Sequence, residues 1–154
     1  QDRASRQYRM SWYIRFFQKP SWPERLLTAD PARTARWFLH RWGHRTEAYT
    51  EADLDVYAAS YAVPGAMQAM INWYRASRMS GATPLPITPI QTETLVLWGE
   101  KDGCLSTDLL TGLKDWVPNL QIHRIPDAGH FVQNEAAEEV NQAILSFLRN
   151  EQTI

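Results

Sequence analysis

Along the first half of the chain, apolar residues recur at helical spacing. Met10, Tyr13, Ile14 and Phe17 fall at i, i+3, i+4 and i+7, one face of a helix that Lys19-Pro20 ends. Ser21-x-x-Glu24 reads as a capping box with Pro23 in the first turn, opening a short helix through Leu26 and Leu27. Asp30-Pro31, an N-cap followed by Pro at the first helical position, opens another that runs to about Trp42 before Gly43. Thr50-x-x-Asp53 starts a fourth, with Leu54, Tyr57, Ala58 and Tyr61 as its stripe, and Pro64-Gly65 breaks it. A fifth carries Met67, Met70, Ile71 and Tyr74 on one face and fades near Ser80-Gly81.

The pattern changes beyond a stiff connector, residues 82–93, that holds Pro84, Pro86 and Pro89. Thr94 to Trp98 is a continuous apolar run closed by Gly99, as expected of a strand covered on both faces. A helix is predicted from the Ser106 N-cap to Val117, with Leu109, Leu110, Leu113 and Trp116 inward. Leu120 to Ile125 reads as a second strand, and a last helix runs from about Glu135 to Arg149 with Val140, Ile144, Phe147 and Leu148 on its inner face. The predicted class is α/β: a helical domain, residues 1–81, followed by a strand–helix–strand–helix segment, residues 94–154. Only two strand candidates appear, too few for a parallel sheet buried on both faces, so the remaining strands are expected elsewhere.

Composition narrows the function classes. The 154 residues fit about one domain of ordinary size. Sixteen Lys and Arg stand against seventeen Asp and Glu, a net charge of −1, which gives no electrostatic footprint for nucleic acid. No apolar run reaches the roughly 20 residues of a membrane span. The chain begins with Gln1 and shows no signal-peptide pattern, and its first residues report no compartment; a cytoplasmic location is the expectation. The one cysteine, Cys104, excludes an internal disulfide and a thiolate zinc site, and reads as a small apolar filler.

Candidate chemistry lies at the strand ends. Open parallel sheets bind ligands beyond the carboxyl ends of their strands. Gly99-Glu100-Lys101-Asp102-Gly103 follows the first strand, and Pro126-Asp127-Ala128-Gly129-His130 follows the second. Because a crossover makes both strands run the same way, Asp102 and His130 emerge on one edge. A carboxylate orienting an imidazole is the pair that general-base catalysis uses. Each alone also reads as a loop cap and a helix-start residue. His40 and His44 read as solvated, Met67 and Met70 as helix-face core, and His123 as a strand residue without an acid nearby in sequence.

These residues carry a resemblance. Gly99-Glu100-Lys101-Asp102, Asp115-Trp116-Val117-Pro118-Asn119-Leu120, Ala128-Gly129-His130-Phe131-Val132-Gln133 and Glu139-Val140-Asn141-Gln142 resemble the end of an α/β-hydrolase, the epoxide hydrolases above all. Ser11-Trp12-Tyr13, Phe16-Phe17-Gln18-Lys19-Pro20 and Asn72-Trp73-Tyr74-Arg75 resemble that family's helical lid. The resemblance implies a lid over 1–81 and the carboxyl-terminal part of the core over 94–154. It implies Asp102 as the acid that orients the base and His130 as the base that activates water. Tyr13 and Tyr74 would be phenols that hydrogen-bond the epoxide oxygen. Trp12, Trp73, Phe17, Met70 and Phe131 are candidates to wall an apolar substrate pocket. A small hydrophobic epoxide is the implied substrate, and the implied chemistry needs no metal or organic cofactor. On residue pattern alone, Tyr13 and Tyr74 are equally core tyrosines on the stripes of their helices.

The family's nucleophile is not found. Gly99 and Gly103 bracket Lys101, which is no nucleophile elbow, and Gly-His occurs twice but His-Gly never. The expectation is therefore that the amino-terminal half of the core, with an aspartate nucleophile, lies outside these residues as the implied partner. Losing a nucleophile costs on the order of 10⁶ in rate, so the chain alone is predicted inactive. A haloalkane or haloacid dehalogenase, or a serine esterase, would share Asp102 and His130. A non-catalytic half that docks on a partner chain is the alternative of another class.

Overall fold

In a computed structural model, residues 3–79 and 88–149 are described. The chain forms two units, residues 1–40 with 49–85 and residues 41–48 with 86–154.

The first unit is helical. Its elements are α1 (Arg3–Met10), α2 (Trp12–Phe17), α3 (Trp22–Thr28), most of α4 (Pro31–Trp42), α5 (Glu51–Ala62) and α6 (Ala66–Met79). The run expected as one helix through Phe17 is two, broken at Ser11. Thr50 and Asp53 form the capping box expected of α5, with Asp53 N–H donating to Thr50 Oγ1 and Thr50 N–H donating to Asp53 Oδ2. Asp30 Oδ1 accepts from Arg33 N–H at the start of α4. The capping box expected at Ser21 is absent. Ser21 sits in the left-handed region at φ 63°, not the extended region of a working N-cap, and makes no side-chain cap; the Glu24 carboxylate pairs with Arg75 instead of returning to the Ser21 N–H. Phe17, Leu27, Ala35, Phe38, Leu54, Met67 and Ile71 are buried, but Met70, expected on the inner stripe of α6, is 45% exposed.

The second unit holds a two-stranded parallel sheet of β1 (Thr94–Gly99) and β2 (Leu120–Ile125), paired Thr94 to Leu120 through Gly99 to Ile125. The sheet is half-covered. Residues 94–98 are only partly buried, where a strand buried on both faces was expected. Leu97 packs toward Ile125, Ala128, Ala136 and Val140, the core of this unit. The crossover differs from expectation. In place of a helix over 106–117 there are two 3-10 turns, Thr107–Leu110 and Leu113–Asp115, parted by Gly112 at φ 81°. Leu109 and Trp116, expected inward, are exposed.

Two helices cover the end of the chain, α7 (Val132–Glu135) and α8 (Ala137–Leu148), separated at Ala136 (φ −139°, ψ 45°). Val140 and Ala143 face inward, whereas Ile144 and Leu148 are exposed. Half of the expected connector, residues 82–87 with Pro84 and Pro86, lies outside the described residues.

Candidate active site

In the second unit the β1–β2 ladder continues past the strands. Glu100 N–H donates to Ile125 O at 3.0 Å, and Lys101 N–H to Ala128 O at 3.0 Å. These bonds carry the pairing register into the two loops and bring Asp102 beside His130. Two glycines permit the approach: a Cβ on Gly99 would lie 2.2 Å from Gly129 O, and one on Gly129 2.6 Å from His44 N. No side chain fits either gap.

Asp102 and His130 meet. His130 Nδ1 lies 2.9 Å from Asp102 Oδ2. The other carboxylate oxygen, Oδ1, accepts from the N–H groups of Cys104 at 2.6 Å and Leu105 at 2.8 Å. Asp102 thus caps its own loop and holds the imidazole at once. An ionised carboxylate only accepts, so across this contact Nδ1–H is the donor and Asp102 Oδ2 the acceptor. The Asp102 side chain is 7% exposed and the His130 side chain 28%, so the acid is shielded while the imidazole keeps access to solvent. Trp42 and Phe131 set their rings edgewise to the imidazole, with centroids 6.1 and 5.1 Å away.

The backbone under this pair is tied to residues 42–45. Trp42 O accepts from His130 N–H at 3.0 Å and from Gly103 N–H at 3.3 Å. Glu135, 4% exposed, does the converse with its carboxylate. Oε2 accepts from the N–H groups of His44, Arg45 and Gly129 at 2.9, 2.9 and 2.8 Å, and Oε1 from Phe131 N–H at 3.1 Å. Burial pushes this carboxyl up, but the four amide bonds outweigh it and hold the group below the ordinary 4.5. The sequence reading missed Glu135. Its signal was an acid on the stripe that carries Val132, Ala136 and Val140.

In the first unit Tyr13 and Tyr74 come together. Their rings meet at 90° with centroids 5.7 Å apart, and Phe17 packs on both, at 5.8 and 5.1 Å. Tyr13 is 5% exposed. One guanidinium fixes the arrangement. Arg75 donates from Nε to Phe17 O at 2.9 Å and from Nη2 to Lys19 O at 2.8 Å, and forms a bidentate pair with Glu24. That hydrogen bonding from Arg75 holds the Glu24 carboxyl below its ordinary value. Gln18 Nε2 adds a bond to Tyr74 O at 3.1 Å. Trp12, Tyr13, Phe16, Phe17, Leu26 and Trp37 wall much of an apolar cleft of about 340 Å³. Trp12 and Phe17 are thus at a cavity, whereas Trp73 is 79% exposed.

The remaining candidates are quickly placed. His40 and His44 are exposed and Cys104 is buried. His123 does have an acid, since its Nε2 lies 2.8 Å from Glu139 Oε1, a partner on α8 that sequence distance hid. Among the described residues no three His, Cys, Asp or Glu side chains gather closely enough to hold a metal ion, and no helix is long and apolar enough to cross a membrane.

No family model matches the chain. AB hydrolase superfamily protein YfhM of Bacillus subtilis (strain 168) is 32% identical over 148 residues, which are 94% of this chain and 50% of that protein. Epoxide hydrolase 3 of Mus musculus is 30% identical over 141 residues, 90% of this chain and 38% of the relative. Among solved structures, an epoxide hydrolase of the α/β-hydrolase superfamily from metagenomes of hot environments superposes with a TM-score of 0.75 at 30% identity, covering 92% of this chain and 51% of that one. The class is that of the α/β-hydrolases. Within it the chain is epoxide hydrolase-like, corresponding to the helical cap and the carboxyl-terminal part of the core. It spans half or less of the length of the relatives it matches.

Proposed function

We propose that the chain supplies the cap and the acid–base half of an epoxide hydrolase, with residues 1–81 as the cap, 82–93 as the connector and 94–154 as the core segment. Its partner in this reading is the amino-terminal half of the core, bearing an aspartate nucleophile, whether on the same precursor or a separate chain. The observation that carries the reading is the 2.9 Å His130 Nδ1 to Asp102 Oδ2 contact on a shielded carboxylate whose other oxygen is held by two amides.

The proposed reaction has two steps. A carboxylate oxygen of the nucleophile attacks an epoxide carbon, the ring C–O bond breaks, and an ester to the enzyme forms. Tyr13 and Tyr74 hydrogen-bond the ring oxygen as it gains charge, and one of them gives it the proton that makes it a hydroxyl. A phenol suits this role because its ordinary pKa near 10 keeps it protonated at neutral pH. In the second step His130 Nε2 takes a proton from water, the hydroxide attacks the ester carbonyl, the acyl C–O bond breaks to regenerate the carboxylate and release the diol, and the imidazolium proton returns to the phenolate left by the first step. Asp102 stabilises the imidazolium that forms. The apolar cleft beside Tyr13 supports a hydrophobic substrate, with Trp12 and Phe17 among its walls. Met70, Trp73 and Phe131 are proposed as further contacts. The chemistry assigned to these residues calls for no cofactor.

The test is turnover of an aryl epoxide by the chain joined to its nucleophile-bearing half. Asp102→Asn should lower kcat by about 10⁴, the size of effect seen when a triad aspartate is neutralised. The 154-residue chain alone should show no turnover above buffer. Robust epoxide hydrolysis by the chain alone, abolished in His130→Ala, would overturn the proposal. Ester hydrolysis without epoxide opening would move it to a serine esterase, and halide release to a dehalogenase.

A further inference from the structure

The geometry points to Glu135 as a positioning residue for His130, one that fixes the imidazole against Asp102 by gripping the backbone on both sides of it. Two of its four bonds go to Gly129 N–H and Phe131 N–H, the residues that flank His130. The other two go to His44 and Arg45, which continue from Trp42, whose carbonyl oxygen takes the N–H groups of His130 and of Gly103. Gly103 adjoins Asp102. A single carboxylate therefore closes a ring of backbone bonds in which both members of the pair are held.

The chemistry of the ring demands an anion. Four N–H donors converge on two oxygens, and only an ionised carboxylate offers acceptors alone at both positions. In Glu135→Gln one oxygen becomes an NH₂ that opposes an N–H donor. Glu135→Asp keeps the charge but ends one methylene short. In either variant the hold on segment 129–131 is weakened, in Glu135→Gln at Phe131 N–H, and the Nδ1–H bond to Asp102 loses alignment. Nothing requires Glu135 to touch a substrate.

The inference rests on the proposed role of His130 as base, so its test has an arm independent of turnover. In the ¹⁵N-histidine-labelled 154-residue chain, the His130 Nδ1–H proton should give a downfield resonance protected from exchange. Glu135→Gln should broaden it or return it to the range of an exposed imidazole. Glu135→Asp, which keeps the charge, serves if Glu135→Gln does not fold. Ile125→Val lightens the same core and should leave the resonance in place. In the chain joined to its nucleophile half, Glu135→Gln should lower kcat roughly 10²-fold, as small misplacements of a catalytic group do, with KM within about twofold. An unchanged Nδ1–H resonance in the glutamate variants, or its equal loss in Ile125→Val, would overturn the inference. A resonance that responds as expected in a protein that opens no epoxide would leave the positioning role standing and remove the proposed function instead.

Discussion

Arg75 in the helical unit and Glu135 in the sheet unit do the same work with opposite charge. The cation collects carbonyls at the end of α2, Phe17 O and just beyond it Lys19 O. The anion collects the amides around His130. They differ in how charge is balanced. Arg75 has a carboxylate partner in Glu24, so that pair is neutral. All four hydrogen bonds to the Glu135 carboxylate come from backbone N–H groups. Removing one member of such a pair leaves a single charge without its partner, solvated only in part by its remaining neighbours. An anion satisfied only by amides leaves every one of those amides stranded when it goes.

The comparison is sharpest in stability. Glu135→Ala strands four N–H groups in a buried site, and at about 1 kcal/mol or more for each should cost about 4 kcal/mol. Arg75→Ala leaves the half-buried Glu24 carboxylate unpaired and should cost about 3 kcal/mol. Arg75→Lys keeps the charge but not the fork, and should recover only part of that loss. Urea midpoints of the three variants check the order. A larger loss in Arg75→Ala than in Glu135→Ala would reverse the argument about balance.

Acid weakens both anchors in the same direction. Glu24 and Glu135 both have their folded-state carboxyl held below the ordinary 4.5. The unfolded chain therefore binds more protons than the folded one as pH falls. The stability these groups supply is complete above the ordinary value and is lost as pH drops through the depressed folded values. Glu24→Gln and Glu135→Gln should each flatten the decline of melting temperature on the acid side of 4.5. Above that value their melting temperatures should run parallel to wild type. A decline as steep as wild type in both variants would mean that other carboxylates set the acid limb.

How much of this was legible follows the same division. Helical periodicity predicted five helical runs where the first unit has six, the break at Ser11 going unread; a stripe such as Met67, Met70, Ile71 and Tyr74 is a local signal, even though Met70 turns out exposed. The order of strands and the meeting of Asp102 with His130 followed from a topological rule that needs only the crossover between parallel strands. The crossover itself was misread. Ser106 does cap, accepting from Asp108 N–H, but Gly112 in the left-handed region splits the run into two 3-10 turns. Glu135 was only partly legible, for a different reason: an acid on the apolar stripe marks the position but not what it binds. Its partners His44 and Arg45 lie about ninety positions away and offer backbone, which leaves no trace in residue type. His123 and Glu139 were hidden likewise by distance in the chain.

Smaller effects test the two N-cap readings against each other. Thr50→Ala removes an observed capping box and should cost about 1 kcal/mol. Ser21 has the same kind of sequence signature without the bond, since its backbone is left-handed where a capping residue is extended. Its φ of 63° is a conformation that costs a side-chain-bearing residue about 1–2 kcal/mol, whereas glycine enters it freely. Against that stands the entropy a glycine loses on folding, roughly 0.5–1 kcal/mol. Ser21→Gly should therefore raise stability, by about 0.5 kcal/mol. Were Ser21 a working N-cap, the same change would lower stability by a few tenths of a kcal/mol. The sign of the shift in urea midpoint decides between them. A loss would return Glu24 to the cap and weaken the case that Arg75 holds it.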